Sequence, residues 1–211
     1  MIREAWQRAD ERPVGEGVPD IAPHVPRTHV PRFWRVFFWW VFYRVGGWRF
    51  RGHFPDVPRL VIIVAPHSSG WDAVWGLAAK IGLDLGIVFM AKQELFVGPL
   101  GWLLRRFGGL PVDRAAPGGI AEQVGREIRD SERMWFLLAP EGTRRRVEKW
   151  KTGFWKIARA ADAPVLCVAF DYPTRTIEIG PLLRCGDDVE ADMARIRDWY
   201  RPFTGKNRGT V

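Results

Sequence analysis

A histidine and an aspartate, His67 and Asp72, stand five positions apart just after the apolar run of residues 60–64. The run predicts a buried strand, and catalytic groups often follow a strand end, because the sheet holds the loop still. Such a loop can turn Asp72 back onto one imidazole nitrogen, which leaves the other to take a proton from an alcohol. The spacing predicts a general-base pair. The alternative is a loop histidine followed by a helix N-cap aspartate.

Three further segments accompany this pair: residues 109–114 (GLPVDR), 140–144 (PEGTR) and 163–168 (APVLCV). Together with the H-x4-D pattern of His67 and Asp72, they resemble the four motifs of the glycerolipid acyltransferase family, typified by bacterial 1-acyl-glycerol-3-phosphate acyltransferases. The resemblance extends from about residue 60 to 180. It rests chiefly on the first and third motifs, since the other two are weak alone.

The resemblance implies that His67 is the general base and that Asp72 orients it. The acceptor hydroxyl would attack a thioester directly, without a covalent acyl-enzyme. Acyl-CoA or acyl-carrier protein would be the co-substrate, and no metal or prosthetic group is implied. The glycerol phosphate of the acceptor would be bound by Arg114, Glu141, Gly142, Thr143 and Arg144.

The chemistry of these residue types agrees with a phosphate ligand. Arginine offers a rigid fork of donors, glycine lets the backbone approach a ligand closely, and threonine adds a hydroxyl. Because like charges repel, we expect Glu141 to hold an arginine or to contact a glycerol hydroxyl. Lys92 follows the second predicted strand and is expected near the phosphate. The alternatives are an ordinary turn with solvated arginines and a surface lysine.

Other functions fit less well. A hydrolase using Ser68 or Ser69 is disfavoured, because neighbouring side chains in an extended stretch point apart and no G-x-S-x-G motif is present. A metal site at His24 and His29 lacks nearby cysteines and an acidic cluster. A non-enzymatic basic protein that binds lipid or nucleic acid leaves the His67 motif unexplained. An acyltransferase for a different lysolipid stays open as the closer alternative.

Short apolar runs alternate with helical patterns along the chain, which predicts a layered α/β fold with a largely parallel sheet flanked by helices. The predicted strands are residues 60–64, 87–90, 110–112, 134–138 and 165–170, with an edge strand at 176–179. The predicted helices are residues 72–81, 94–107 with an interruption at Gly98-Pro99, 120–128, 154–161 and 189–203.

Composition is that of a globular protein, with 47% hydrophobic and 27% charged residues. The formal net charge of +8 favours anionic partners, and the 12 tryptophans favour either a membrane interface or a large core. The two cysteines, Cys167 and Cys185, form no disulfide framework or zinc motif. A reducing compartment is therefore expected, and the polar N-terminus is not that of a secretory signal.

We expect three regions: a polar, proline-rich extended arm over residues 1–31, an aromatic membrane-associating helix region over 32–51, and an acyltransferase domain over 52–211. Residues 32–45 are expected to form the aromatic helix, which Gly46 and Gly47 stop. The apolar stretch 33–43 (FWRVFFWWVFY) is too short to span a bilayer, and arginines flank it. This favours a peripheral or monotopic location at the cytoplasmic face of the cell membrane, on an anionic surface. The alternative is a buried core helix, and no nucleic acid is expected as a partner.

Two further segments are candidates for the same membrane surface. Residues 144–156 are strongly basic, with Trp150 and Trp155 between the charges, which suits an anionic membrane face. Residues 95–104 (LFVGPLGWLL) are apolar and would line an acyl-chain groove, contact the bilayer or pack in the core.

Overall fold

The protein is described by a computed structural model that covers residues 21–92, 94, 96–112 and 119–207, with the backbone alone at residues 91, 92, 103 and 112. Seven strands lie in the described part of the chain: β1 Arg49–Arg51, β2 Arg59–Ala65, β3 Ile87–Lys92, β4 Gly109–Val112, β5 Met134–Leu138, β6 Val165–Asp171 and β7 Thr176–Leu183. The α-helices described are α1 Arg32–Trp40, α2 Trp71–Gly82, α3 Gly98–Arg106, α4 Gly119–Asp130, α5 Gly153–Ala161 and α6 Val189–Tyr200.

The strands form one sheet in the order β1-β7-β6-β2-β5-β3-β4. Strand β2 lies at its centre and pairs in parallel with β5 and β6, while β3 pairs in parallel with β5 and β4. Strand β7 is antiparallel to β6, and β1 is parallel to β7. The sheet is thus largely parallel, as the alternation of strand and helix patterns predicts.

Two cores cover the two faces of the sheet, because side chains of a strand point alternately to opposite sides. From β2, Val61 and Ile63 join the core formed with α4, α5 and α6. Leu60 and Ile62 join the other core, to which α2 and the segment after α1 contribute. Six of the seven residues of β2 are buried, so the loop that follows it starts from a fixed point.

Helix α3 and strand β7 differ from the prediction in more than the exact position of their ends. Helix α3 begins only at Gly98, so the Gly-Pro pair starts the helix and does not interrupt it. Proline suits this position, since the first N–H groups of a helix have no intrahelical partner. Strand β7 was predicted at an edge, but β1 pairs with its outer side. The sequence did not predict the true edge strand, β1, because three residues are too few to show an alternating apolar pattern.

The aromatic segment begins as helix α1, continues as a π-helical turn over Val41–Val45 and ends at Gly46, where the sequence predicts a stop. The helical part of the region 32–51 thus covers residues 32–45 as predicted, whereas residues 49–51 of that region form strand β1 and are not part of the helix. Helix α1 lies on α2: a Cβ on Gly82 would meet the backbone of Trp39 at 3.1 Å. A side chain at Gly82 would therefore have to push Trp39 away by a few tenths of an ångström.

Residues 21–31, the described part of the predicted arm, contain no helix and no strand but pack onto the domain. Val25 is fully buried, and the backbone at Arg27 bridges to Leu85. Arg27 also donates from Nη1 to the carbonyl of Leu83, 3.2 Å away. This part of the arm belongs to the folded domain, because its apolar side chains pack into the core. Its prolines keep it from forming a regular strand.

Candidate active site

The predicted site residues gather at the carboxyl edge of the parallel strands. His67 follows the end of β2 and Glu141 follows the end of β5, its neighbour in the sheet. On the other side of β2, β6 ends at Asp171 and is followed by Tyr172. Neighbouring strands are separated by about 4.8 Å, so the residues after these strands meet around His67.

His67 and Asp72 are in direct contact. Nδ1 of His67 lies 3.1 Å from Oδ2 of Asp72, the second residue of α2. The aspartate side chain is 2% exposed and the imidazole 25% exposed. The ring is therefore anchored at Nδ1, and its other nitrogen, Nε2, is on the side away from the carboxylate. This is the geometry that a general base requires.

Asp72 is bound by donors on both oxygens. Oδ2 also accepts the backbone N–H groups of Ser68 at 2.9 Å and Ser69 at 3.0 Å, while Oδ1 accepts the hydroxyl of Tyr172 at 2.6 Å. Burial favours a raised pKa, but the hydrogen bonds from His67, Tyr172 and Ser69 outweigh it and lower the pKa of Asp72. The carboxylate is ionised at neutral pH, ready to stabilise an imidazolium.

The two serine hydroxyls hold the loop. Oγ of Ser68 accepts the backbone N–H of Asn207 at 3.2 Å, and Oγ of Ser69 accepts that of Trp71 at 3.2 Å. Both side chains are buried. These contacts give each hydroxyl a structural role, which argues further against a serine hydrolase.

Glu141 supports the same loop from the neighbouring strand. Its side chain is 1% exposed, and Oε1 accepts the backbone N–H of His67 at 3.3 Å. The sequence suggested an arginine or a ligand hydroxyl as its partner and missed this contact. No local signal could have revealed it, since it depends on β2 and β5 being neighbours.

Gly142 has φ = +66°, a left-handed conformation that side chains disfavour. The side chain of Lys151 lies over it, since a Cβ on Gly142 would meet Lys151 Cε at 2.9 Å. Backbone N–H of Lys151 also donates to the carbonyl of Pro140, at 2.9 Å. Lys151, which is outside the four sequence motifs, thus adds a cation to the PEGTR turn.

Arg144 lies beside the loop that joins His67 to Asp72. Its Nη1 is 3.8 Å from the position that a Cβ on Gly70 would occupy. Gly70 lies between His67 and Asp72 in the chain, so the third motif and the first are brought together. Thr143, in the same turn, accepts the backbone N–H of Arg145 through Oγ1 at 3.3 Å.

Of the two other predicted phosphate ligands, only Lys92 lies in the described part of the chain, on β3, which is the neighbour of β5 on the side away from β2. Lys92 is the last residue of β3 and therefore stands at the same edge of the sheet, though its side chain is not described. Arg114 lies outside the described residues, two positions after the end of β4. Their roles stay predictions.

The tryptophans of the basic segment 144–156 point into the protein. Trp150 is 6% exposed and packs against Tyr200, with ring centroids 5.2 Å apart. Trp155 donates from Nε1 to Oδ2 of Asp192 at 3.0 Å. The expectation that these indoles face a membrane is wrong, because both contact α6, Trp150 through Tyr200 and Trp155 through Asp192.

The apolar segment 95–104 is divided between core and surface. Phe96 is 7% exposed, whereas Val97, Leu100 and Trp102 are each at least half exposed. The exposed part lies at the start of α3 and leaves an acyl-chain or bilayer contact open.

His24, considered as a metal ligand, has its Nδ1 3.0 Å from Oδ2 of Asp56.

Comparison with known proteins adds three findings. The family model described as Acyltransferase matches residues 52–171. Over 121 residues the chain is 31% identical to the 1-acyl-sn-glycerol-3-phosphate acyltransferase of Streptococcus pneumoniae (strain ATCC BAA-255 / R6), an alignment of 56% of this chain and 44% of that protein. The chain therefore spans less than half of the length of this curated relative.

The fold is also found in the crystal structure of the 1-acyl-sn-glycerophosphate (LPA) acyltransferase PlsC from Thermotoga maritima. The TM-score is 0.55 with 17% identity, over 82% of this chain and 81% of the other. The family match covers more than half of the 211 residues and includes the His67–Asp72 pair and the PEGTR turn. The chain belongs to the acyltransferase family.

Proposed function

We propose that this protein is a lysophospholipid acyltransferase that moves a fatty acyl group from a thioester to the free hydroxyl of 1-acyl-glycerol-3-phosphate, forming phosphatidic acid for phospholipid biosynthesis. The observation that carries the proposal is the His67–Asp72 contact of 3.1 Å with Arg144 beside the same loop. A base and a phosphate-binding cation are then available to one small acceptor molecule.

The chemistry follows from the anchored imidazole. Nε2 of His67 takes the proton of the acceptor hydroxyl as its oxygen attacks the thioester carbonyl, and Asp72 stabilises the imidazolium. The tetrahedral intermediate collapses with cleavage of the C–S bond, and His67 returns the proton to the leaving thiolate. The products are an ester and a free thiol, without an acyl-enzyme.

Acceptor binding is assigned to the residues around the PEGTR turn. Arg144 supplies a guanidinium that can bind a phosphate through two parallel hydrogen bonds. Gly142 exposes backbone, and Lys151 lies directly over it. Lys92, Arg114 and Thr143 complete the proposed set, and Glu141 fixes the loop that carries the base. No resident cofactor is part of this mechanism.

The donor is an acyl thioester of coenzyme A or of acyl-carrier protein. Both end in the same pantetheine thiol, so the same proton transfers serve either donor. The second candidate function is acyl transfer to another lysolipid. It is favoured by Ala139 and Arg145, which depart from the aromatic residue and the serine usual at these positions of the family motif.

We further propose that the outer face of α1 docks on an anionic membrane surface. Phe33, Val36, Phe37 and Trp40 recur at helical spacing and are 64%, 60%, 45% and 53% exposed. The opposite side of the helix packs on α2 through Trp39, so both sides are apolar. An exposed apolar stripe of this kind favours burial in lipid headgroups.

Charge supports the same location. Arg32 and Arg44 are exposed at the two ends of the aromatic segment, and the chain carries a formal +8. Each basic residue near an anionic bilayer contributes about 1 kcal/mol. In the described part of the chain no helix has the length and apolarity needed to cross a membrane. From the exposed apolar stripe and the flanking arginines, we propose a peripheral or monotopic location at the cytoplasmic face of the membrane.

The test is release of free thiol from palmitoyl-CoA, and from palmitoyl-acyl-carrier protein, with and without 1-acyl-glycerol-3-phosphate in vesicles. We expect acceptor-dependent release with phosphatidic acid identified by mass spectrometry, and loss of both in His67→Ala. Release with a different lysolipid alone would favour the second candidate function. If no thiol is released with any donor and acceptor, and the protein binds DNA in a salt-resistant manner, the enzymatic proposal is wrong and a non-enzymatic basic binding protein is favoured.

A further inference from the structure

We propose that Tyr172 is a positioning residue of the active site: its hydroxyl holds Asp72 in the orientation in which that carboxylate directs the imidazole of His67. The inference rests on the proposed function. Tyr172 lies one position beyond the residues matched by the family model, which end at 171, and the four motifs do not include it.

The contact is short and reaches across the chain. The hydroxyl of Tyr172 donates to Oδ1 of Asp72 at 2.6 Å, although 100 residues separate the two. Oδ2 of the same carboxylate is bound to Nδ1 of His67 and to the backbone of the loop. Tyr172 is therefore the donor on the oxygen that the loop does not bind.

Tyr172 is itself held in place. Its ring packs edge-on against Trp48, with centroids 4.9 Å apart. Its backbone N–H donates to the carbonyl of Thr204 at 2.9 Å, and the N–H of Thr204 donates to Asp171 Oδ1 at 3.0 Å. The segment after α6 thus fixes the turn after β6, so the hydroxyl is presented by a rigid support.

The same C-terminal segment reaches the catalytic loop directly. Nδ2 of Asn207 donates to the carbonyl of Ser68 at 2.8 Å. The ammonium of Lys206 lies 4.7 Å from the ring centroid of Trp71. The His67–Asp72 loop is consequently held through Asp72 by Tyr172 and through its backbone by Asn207.

The hydroxyl is a permanent donor. Burial, and then the hydrogen bond to the Asp72 carboxylate, raise the pKa of Tyr172, so it stays protonated throughout the working pH range. Without this donor, Oδ1 of a carboxylate that is only 2% exposed would lose its partner. A buried, unsatisfied carboxylate oxygen is costly, so the group would rotate toward water and loosen its hold on His67.

The matched pair of variants is Tyr172→Phe and Tyr200→Phe. Tyr200 is also buried, and its hydroxyl donates to the carbonyl of Ile63 at 2.6 Å and accepts the N–H of Val168 at 2.9 Å. Each change removes one hydroxyl and its hydrogen bonds, but only Tyr172 touches Asp72. Thermal unfolding measured on both variants reports the loss of stability separately from turnover.

Two readouts are compared with wild type: steady-state kinetics, and the 15N shifts of the His67 imidazole, assigned among the four histidines with His67→Ala. For Tyr172→Phe we expect kcat to fall about tenfold with both KM values within about twofold. We also expect the Nδ1 and Nε2 shifts to move toward each other as the tautomer is less strictly fixed. Tyr200→Phe should lose stability and leave both readouts near wild type.

The proposal is overturned if Tyr172→Phe keeps wild-type kcat and unchanged imidazole shifts, or if Tyr200→Phe changes them equally. A raised KM with unchanged kcat would also overturn it, because Tyr172 would then contact substrate. If wild-type protein shows no turnover at all, the proposed function fails, and the imidazole shifts alone decide the role of Tyr172.

Discussion

Oδ2 of Asp72 lies 3.1 Å from Nδ1 of His67 and also accepts the backbone N–H groups of Ser68 and Ser69. One oxygen therefore orients the imidazole and closes the loop that carries it. Because these two tasks share an atom, a change at Asp72 should affect turnover and stability together, and the two effects must be measured separately.

Replacing Asp72 by Asn should reduce kcat by about 10²- to 10⁴-fold, because a neutral amide does not stabilise the imidazolium or fix its tautomer. The measurement is thiol release at saturating donor and acceptor. Asp84→Asn is the matched control, since Asp84 is also buried and accepts the N–H of Val30 at 2.9 Å, without contributing to the site. Equal kcat values in wild type and Asp72→Asn would contradict the general-base role.

The same variant should show a distinct pH dependence of stability. The pKa of Asp72 in the folded protein is below its ordinary 3.8, despite the burial that raises it, because hydrogen bonds stabilise the charged form. The stabilisation of the folded protein by ionised Asp72 is thus complete above the pKa that this carboxyl has in the unfolded chain. It is lost as the pH falls through the lower pKa of Asp72 in the folded protein. We expect wild type to exceed Asp72→Asn by about 2 kcal/mol in unfolding free energy at pH 7, and this gap to close below 3.8. Urea unfolding at several pH values measures it, and a pH-independent gap would argue against the lowered pKa.

Arg144→Ala should raise the KM for 1-acyl-glycerol-3-phosphate by about 10- to 100-fold with a smaller change in kcat, because a charge-assisted bond to phosphate is lost. Arg146→Ala removes the same charge two positions further along the exposed basic run and serves as control. Initial rates over a range of acceptor concentrations give both constants. Equal KM values for the two variants would assign the effect to overall charge and remove the specific role of Arg144.

Gly142→Ala should lower stability by about 1 kcal/mol and weaken acceptor binding, since φ is +66° and the new Cβ would meet Lys151. Gly153→Ala is the control: a Cβ there has no neighbour within 4 Å. Its unfolding free energy should stay within about 0.5 kcal/mol of wild type. Thermal unfolding and acceptor KM are the measurements. A wild-type KM for Gly142→Ala would argue against close backbone approach by the ligand.

The double change Phe33→Ser with Phe37→Ser should reduce binding to vesicles containing phosphatidylglycerol by more than about tenfold, because two exposed aromatic side chains lose their burial in lipid. Co-sedimentation of the protein with vesicles at low and at high salt separates the apolar from the electrostatic contribution to binding. Turnover of short-chain, water-soluble substrates should be unchanged, since α1 carries no catalytic group. Undiminished vesicle binding would place the docking surface elsewhere, with Val97 and Leu100 as the next exposed apolar side chains to replace.

Local sequence patterns predicted much of the fold. The strand at 60–64 and the helix at 72–81 were each found with boundaries shifted by one residue. Their apolar periodicities differ, and periodicity is a property of neighbouring residues. The H-x4-D spacing likewise predicted the His67–Asp72 contact, because a loop of that length leaves few places for the carboxylate.

Other features were decided only by the tertiary structure. Glu141 meets the His67 backbone because β5 lies beside β2, and Tyr172 meets Asp72 because β6 lies on the other side. Strand order is set by packing of the whole sheet, and no window of the sequence contains it. Trp150 was expected at the surface because charged residues are its neighbours in the sequence, but in the folded chain its ring is buried against Tyr200 of α6.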